Sequence, residues 1–79
     1  MEEWKWITTA HVVENLVHDA NCVHEYNLWL CGGFLTSTHW LIYDSKKQMI
    51  GHARNNNFDW YTEAEFFEFF AGCKWRRFA

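Results

Sequence analysis

Histidines and one tyrosine form the first group of side chains that could carry chemistry. His39 and His52 lie on two strands that are predicted to pair, and Tyr26 lies on the preceding strand, opposite His39. Two or three neighbouring imidazoles, with His24 as the third, could bind a transition metal or change charge at about pH 6. The alternative is a set of half-buried polar residues that are hydrogen-bonded to Tyr26 or to water. A register change of one residue would separate the pair.

A second possible metal site combines histidine and cysteine. His18 and Cys22 are four residues apart, a spacing that places two ligands on one face of a helix, and His24, Cys31 and Cys73 are possible partners. Zinc sites usually contain paired CxxC or HxxxH units, and the sequence has neither. The alternative is a histidine at a helix end and small buried thiols. We therefore predict no cofactor.

Nucleophilic catalysis would need a cysteine or serine beside a positioned base. Cys31, next to Gly32 and Gly33, is the one candidate that the sequence offers, and no specific base accompanies it. No glycine-rich loop that could hold a phosphate is present. We expect a protein that is not an enzyme.

Basic and aromatic residues alternate near the C-terminus, in the segment Lys74-Trp75-Arg76-Arg77-Phe78. Such a segment could hold a phosphate backbone and stack on bases, and an aromatic sheet face could add stacking platforms. The alternative is a helix end that compensates its dipole, with Trp75 and Phe78 folded back on the core. The formal net charge of −3 and the small number of basic residues, 7, disfavour nucleic acid as the partner.

Composition bounds the class of protein. The 79 residues predict one domain, 1–79. The 6 Trp, 7 Phe and 3 Tyr exceed what a small core needs, so some rings should be exposed for binding or self-association; the alternative is a plain small core in which many rings compensate for few residues. Three cysteines without framework spacing favour a reducing compartment, and we expect a cytoplasmic protein. The acidic start MEEWKW does not resemble a targeting signal, and no apolar run approaches the length of a membrane span, about 20 residues.

The periodicity predicts which elements must position these side chains. Thr8 or Thr9 caps a first helix that ends near Asn21. Three strands then run from Val23 through a Gly32-Gly33 turn, over 34–43, and over 48–54 after the turn at 44–47. A C-terminal helix follows, and residues 1–7 could add a short edge strand. The predicted fold is α+β: an N-terminal helix, a three-stranded antiparallel meander and a C-terminal helix.

Both faces of the predicted sheet are apolar at their centres. One face carries Trp29, Trp40 and Gly51, with the Trp40 ring over the bare glycine; the other carries Tyr26, His39 and His52. A sheet that is packed on one side should alternate apolar and polar residues. If both helices cover the same face, the other is therefore left open to a partner.

The C-terminal helix is predicted within 62–78 and begins with a capping box of Thr62 and Glu65. Its apolar side chains cover more of its circumference than a surface helix requires. We expect Phe66, Phe67 and Phe70 in the core, with Cys73 behind them. Phe69 is the ring that the fold needs least, and it is therefore the first candidate for contact with a partner.

These patterns together favour a non-enzymatic module that binds another protein or a second copy of itself. Exposed Trp and Phe side chains would act as binding hot spots beside acidic residues that steer a basic partner. The candidate contact residues are Phe69, Trp75, Phe78, Trp29, Trp40, Glu65 and Glu68. In size and composition the chain resembles the small inhibitors encoded by bacteriophages, including anti-CRISPR proteins, which implies inhibition of a larger host complex. A nucleic-acid-binding domain and a metal- or pH-responsive regulator are the alternatives.

Overall fold

Six strands form one antiparallel sheet in the described part of the chain, and two helices lie against it. The computed structural model describes residues 6–30 and 34–77, and their side chains except at 29, 30, 34–37 and 77. The strands lie in the spatial order β1-β6-β2-β3-β4-β5. The elements follow the chain as β1 (Ile7–Thr8), α1 (Thr9–His18), β2 (His24–Leu30), β3 (Phe34–Asp44), β4 (Met49–Arg54), β5 (Asn57–Tyr61), α2 (Glu63–Phe69) and β6 (Lys74–Arg77).

The predicted three-stranded meander is wrong, because β5 and β6 also join the sheet. The short edge strand that residues 1–7 could add is present as β1, at Ile7–Thr8. The segment that forms β5 was expected to be a connection between strand and helix. Instead Asn55 adopts a positive φ of 56°, and Asn55-Asn56 forms a two-residue turn that pairs Arg54 with Asn57. Asparagine tolerates this conformation better than most residues, which makes the short hairpin possible.

The C-terminal helix is shorter than expected, and its predicted second half is a strand. Helix α2 ends at Phe69, and Gly72 follows with a φ of 77°, a conformation that glycine adopts without strain. Strand β6 then inserts between β1 and β2, where Trp75 pairs with Ile7 on one side and Leu28 on the other. Strand β6 therefore forms backbone hydrogen bonds with strands on both of its sides. These partners are distant in the sequence, so no local pattern could predict the strand.

The predicted helix starts are confirmed. The Thr8 hydroxyl caps α1 by accepting from the His11 backbone N–H, and Thr62 and Glu65 form the reciprocal capping box of α2. Asn21 follows α1 with a φ of 64°. Neither helix in the described residues has the length and hydropathy needed to cross a membrane.

Both helices pack against the same face of the sheet. The core there takes apolar residues from α1, from α2 and from the inward positions of the central strands, and Phe67, predicted to lie in it, is instead 40% exposed. The buried set is Val12, Val13, Leu16, Tyr26, Leu28, Leu41, Tyr43, Ile50, Phe66, Phe70 and Trp75. The opposite face of the sheet is not covered by either helix.

The pairing of β3 with β4 differs from the predicted register by two residues. Ile42 pairs with Gly51, and Trp40 pairs with Ala53 instead of Gly51. Because the shift is even, each side chain stays on its predicted face. The pairing of Tyr26 with His39 is confirmed. The predicted Gly32-Gly33 turn lies outside the described residues.

Candidate functional site

His39 and His52 lie side by side on the face of the sheet that the helices cover. His52 pairs with Leu41, so the two histidines are diagonal and not directly opposite. Their rings are stacked with centroids 4.9 Å apart, and His39 Nδ1 lies 2.7 Å from His52 Nε2. At that distance one imidazole donates a hydrogen bond and the other accepts it.

The surroundings of the pair favour uncharged imidazoles. Burial, together with the positive charges of His52 and Arg54, lowers the pKa of His39 to about 4. Burial also lowers the pKa of His52, with Arg54 acting in the same direction and Asp59 opposing it. Both rings contact aromatic residues of the core, His39 with Trp75 and His52 with Phe70. At neutral pH the pair is therefore a neutral hydrogen-bonded unit within the core.

The other predicted metal ligands do not converge in the structure. His18, the last residue of α1, is exposed and bonds to Asp19 at 3.2 Å, Cys22 is exposed, and His24 is buried against the Tyr26 ring. Cys31 lies outside the described residues. Among the residues that the structure describes, no group of three or more His, Cys, Asp or Glu side chains could hold a metal ion.

The uncovered face of the sheet carries an apolar surface, which we call the aromatic patch: Trp40, Ile42, Phe58 and Trp60. Register brings these residues together, because Ile42, Gly51 and Trp60 form one cross-strand row and Trp40, Ala53 and Phe58 form the next. Trp40 is 39% exposed and Phe58 is 52% exposed. Large rings that remain this accessible on an apolar surface mark a place where another molecule can bind.

Gly51 forms the floor of the aromatic patch. The Phe58 and Trp60 rings meet edge to face at 5.1 Å, and both lie over the glycine together with Ile42. A Cβ atom at position 51 would lie 2.9 Å from Phe58 Cζ and 3.1 Å from Trp60 Cζ3. The absence of a side chain at this position therefore lets atoms of both rings approach the backbone of β4 closely.

One basic side chain adjoins the aromatic patch, and two more lie elsewhere on the same face of the sheet. Lys47 Nζ lies 4.4 Å from the Trp60 ring centroid, a cation–π contact. Strand β6 places Lys74 and Arg76 on the same face, since they alternate with the buried Trp75, and Arg76 lies 5.1 Å from the Trp6 ring centroid. Trp75 is fully buried, so the basic-aromatic segment presents cations on this face and its tryptophan to the core.

The opposite side of β5 carries acidic and aromatic residues, which we call the β5 flank: Asp59, Tyr61, Glu65, Glu68 and Phe69. Phe69 is 67% exposed and stacks on Tyr61 with ring centroids 5.6 Å apart. Tyr61, Glu65, Glu68 and Phe69 line a hollow of about 250 Å³. A second hollow of about 220 Å³ is also lined by Phe69, together with Asp59, Arg54 and other residues.

The seven predicted contact residues are distributed over several places. Phe69, Glu65 and Glu68 meet in the β5 flank, Trp40 lies in the aromatic patch, and Trp75 lies in the core. Trp29 belongs to β2, but its side chain is not among those described, and Phe78 lies outside the described residues.

The residues of β5 were not among the predicted candidate site residues. Phe58 and Trp60 contribute half of the aromatic patch, while Asp59 and Tyr61 belong to the flank on the other side of the same strand. The alternation of Asn57, Asp59 and Tyr61 with Phe58 and Trp60 was the available signal, because alternate residues of a strand point to opposite faces.

Comparisons with known proteins identify no relative of this chain. No protein-family model matches the sequence, and neither the curated proteins nor the solved structures that were searched contain a match.

Proposed function

We propose that the chain is a non-enzymatic protein-binding module and that its partner binds the uncovered face of the sheet. The single observation that carries this proposal is that both helices pack on one face and leave the aromatic patch accessible on the other. Trp and Phe side chains give large contact areas at low entropic cost, which is why such rings dominate binding energies. An inhibitory role against a larger complex, expected from size and composition, stays a prediction.

The experiment compares partner capture by the wild-type chain and by a double variant of the aromatic patch. Trp40→Ser with Phe58→Ser removes the two most exposed rings of the patch. Val17→Ser, at an exposed apolar position on α1, is the matched control. We expect a protein that is retained from cell extract by the wild type and the control and is lost with the double variant.

Light scattering complements the capture experiment, because a second copy of the chain could also cover the aromatic patch. A dimer of the wild type that becomes a monomer in the Trp40→Ser, Phe58→Ser variant would identify the chain as its own partner. Two negative results together would contradict the proposal: the wild type is a monodisperse monomer, and it captures no protein whose retention is lost in the double variant.

A second candidate function is binding of single-stranded nucleic acid on the same face. The observation that favours it is the position of Lys74 and Arg76, which β6 presents on the side of the sheet that carries the aromatic patch. Fluorescence anisotropy with labelled single-stranded DNA and RNA at low salt tests it, because phosphate contacts are strongest there. Binding that weakens in Lys74→Gln with Arg76→Gln would support this function, and no anisotropy change would exclude it.

A further inference from the structure

Strand β5 forms one edge of the sheet and carries one charged side chain, that of Asp59, so this edge has little protection against an added strand. It pairs with β4 on one side and ends the strand order on the other. Proteins commonly protect edge strands with several charged side chains, lysine above all, or with proline or a bulge. The β5 sequence NFDWY has no lysine or proline, and its pairing with β4 is regular throughout. The edge is thus open to an added strand.

The hairpin geometry shows which backbone groups point outward. Arg54 and Asn57 close a two-residue turn, and residues that close such a turn form a hydrogen-bonded pair. Hydrogen-bonded and non-hydrogen-bonded pairs alternate along an antiparallel ladder. The backbone N–H and C=O groups of Asp59 and Tyr61 therefore also point toward β4. The backbone groups of Phe58 and Trp60 consequently face away from the sheet.

Both sides of this edge carry features that an added strand would contact. Phe58 and Trp60 extend over the aromatic patch, while Asp59 and Tyr61 lie on the side of the helices. There the β5 flank contributes Phe69 and three carboxylates, those of Asp59, Glu65 and Glu68. Arg54 is the basic residue that shares the hollow beside Asp59, so the carboxylates are in excess near the edge.

We propose that the outer edge of β5 binds an extended peptide segment as a seventh strand. Its backbone pairs with Phe58 and Trp60, its apolar side chains lie beside these two rings, and its basic side chains lie opposite Asp59 and Tyr61. Strand addition of this kind takes affinity from main-chain hydrogen bonds and specificity from alternate side chains. This inference rests on the proposed function and names the class of partner: an extended segment in which apolar and basic residues alternate.

Charge argues against a second copy of β5 as the occupant. Two β5 strands that overlap fully in antiparallel register place Asp59 opposite Asp59, with Phe58 opposite Trp60 on either side. Like charges directly opposite each other destabilise a pair of strands. A foreign segment with a basic residue at that position converts the repulsion into attraction.

The test uses a short, end-capped peptide of alternating valine and lysine, labelled for fluorescence anisotropy. A peptide of the same composition with its valines and lysines in separate blocks controls for unspecific charge attraction. We expect the alternating peptide to bind and the block peptide not to bind. Asp59→Lys with Glu68→Lys should raise its Kd by about tenfold, because each change turns an attractive charge pair into a repulsive one. Glu14→Lys with Asp19→Lys, the same change of net charge on and beside α1, should leave the Kd unchanged.

Amide hydrogen exchange by NMR provides the structural readout. Bound peptide should slow exchange at Phe58 and Trp60, while Asp59 and Tyr61, which already pair with β4, should change little. Equal binding of the two peptides, an equal effect of the two double variants, a β5-mediated dimer, or unchanged exchange at Phe58 and Trp60 would each overturn the inference. If the alternating peptide does not bind but capture of a partner still depends on Trp40 and Phe58, the proposed function is supported and strand addition at β5 is rejected.

Discussion

The indole N–H of Trp75 donates a hydrogen bond to the hydroxyl of Thr9, at 2.9 Å and across 66 residues of chain. The Thr9 hydroxyl in turn donates to the carbonyl of Phe70 at 2.8 Å. Both Thr9 and Trp75 are buried. One hydroxyl therefore links the first turn of α1, the end of α2 and strand β6. It accepts from the Trp75 indole N–H, a donor that burial would otherwise leave unpaired, whereas the Phe70 carbonyl also accepts from the Cys73 backbone N–H at 3.2 Å.

Thr9→Val should destabilise the fold through this link. Valine keeps the shape of threonine but leaves the buried Trp75 N–H without its acceptor, at a cost of about 1–3 kcal/mol. The Phe70 carbonyl keeps its hydrogen bond from the Cys73 N–H. Urea unfolding measures the change. Thr38→Val, at a half-buried threonine on β3, is the control and should cost less. Equal stability of the two variants would show that the Thr9 hydroxyl does not stabilise the fold.

Stability should fall as the pH decreases from 7 toward 4. The pKa of His39 is lowered to about 4 in the folded state from 6.5 in the unfolded chain, so the unfolded state binds more protons between these values. The stabilising contribution is complete above pH 6.5 and is lost as the pH falls toward the folded pKa of about 4. We expect a loss of about 3 kcal/mol at pH 4, since one pKa unit corresponds to about 1.4 kcal/mol.

A double variant isolates the histidine pair in that pH profile. His39→Leu with His52→Leu removes both partners of the hydrogen bond together, so neither is left unpaired, and the free energy of unfolding should depend less on pH between 7 and 5. Val17→Ser, at an exposed position without a titratable group, should keep the wild-type profile. A profile of the double variant that is as steep as that of the wild type would assign the pH dependence to other groups.

Gly51→Ala should change the aromatic patch more than it changes the fold. The new Cβ would force the Phe58 ring to move, and this ring is 52% exposed and free to turn outward. We expect a stability cost of about 1 kcal/mol, at the low end for added volume. Binding to the partner captured through the patch should weaken at the same time. Unchanged binding would show that the partner does not use the Phe58 and Trp60 rings.

Alanine variants of Phe69 and Phe66 should have different effects: the first on peptide binding and the second on the stability of the fold. Phe66 is fully buried, and its replacement by alanine should cost about 3–5 kcal/mol, as is typical of core phenylalanines. Phe69 is mostly exposed, so Phe69→Ala should cost less than about 1 kcal/mol and yet weaken binding of the valine–lysine peptide. Unfolding curves and the same anisotropy assay measure both effects. A Phe69→Ala variant that folds and binds like the wild type would give Phe69 no role in the site.

Local patterns predicted much of the secondary structure and part of the site. The caps at Thr8 and Thr62 were recognisable because each needs only one side chain and a nearby backbone N–H. The contact of His39 with His52 was predicted even though the register was wrong by two residues, because an even shift keeps both rings on one face. The exposure of Phe69 followed from its position at the edge of the apolar arc of the helix.

The sequence alone determined that the chain forms two capped helices and an antiparallel sheet with apolar residues on both faces. Only the tertiary structure decided that Lys74–Arg77 is a strand between β1 and β2, that Asn57–Tyr61 adds an edge, and that both helices cover one face. Helix caps and two-residue periods depend on neighbours a few positions away, so they can be read along the chain. The insertion of β6 depends on partners such as Trp75 and Thr9, which are distant in the chain and meet only when the core forms. For the same reason Phe58 and Trp60 became recognisable as site residues only in the folded sheet.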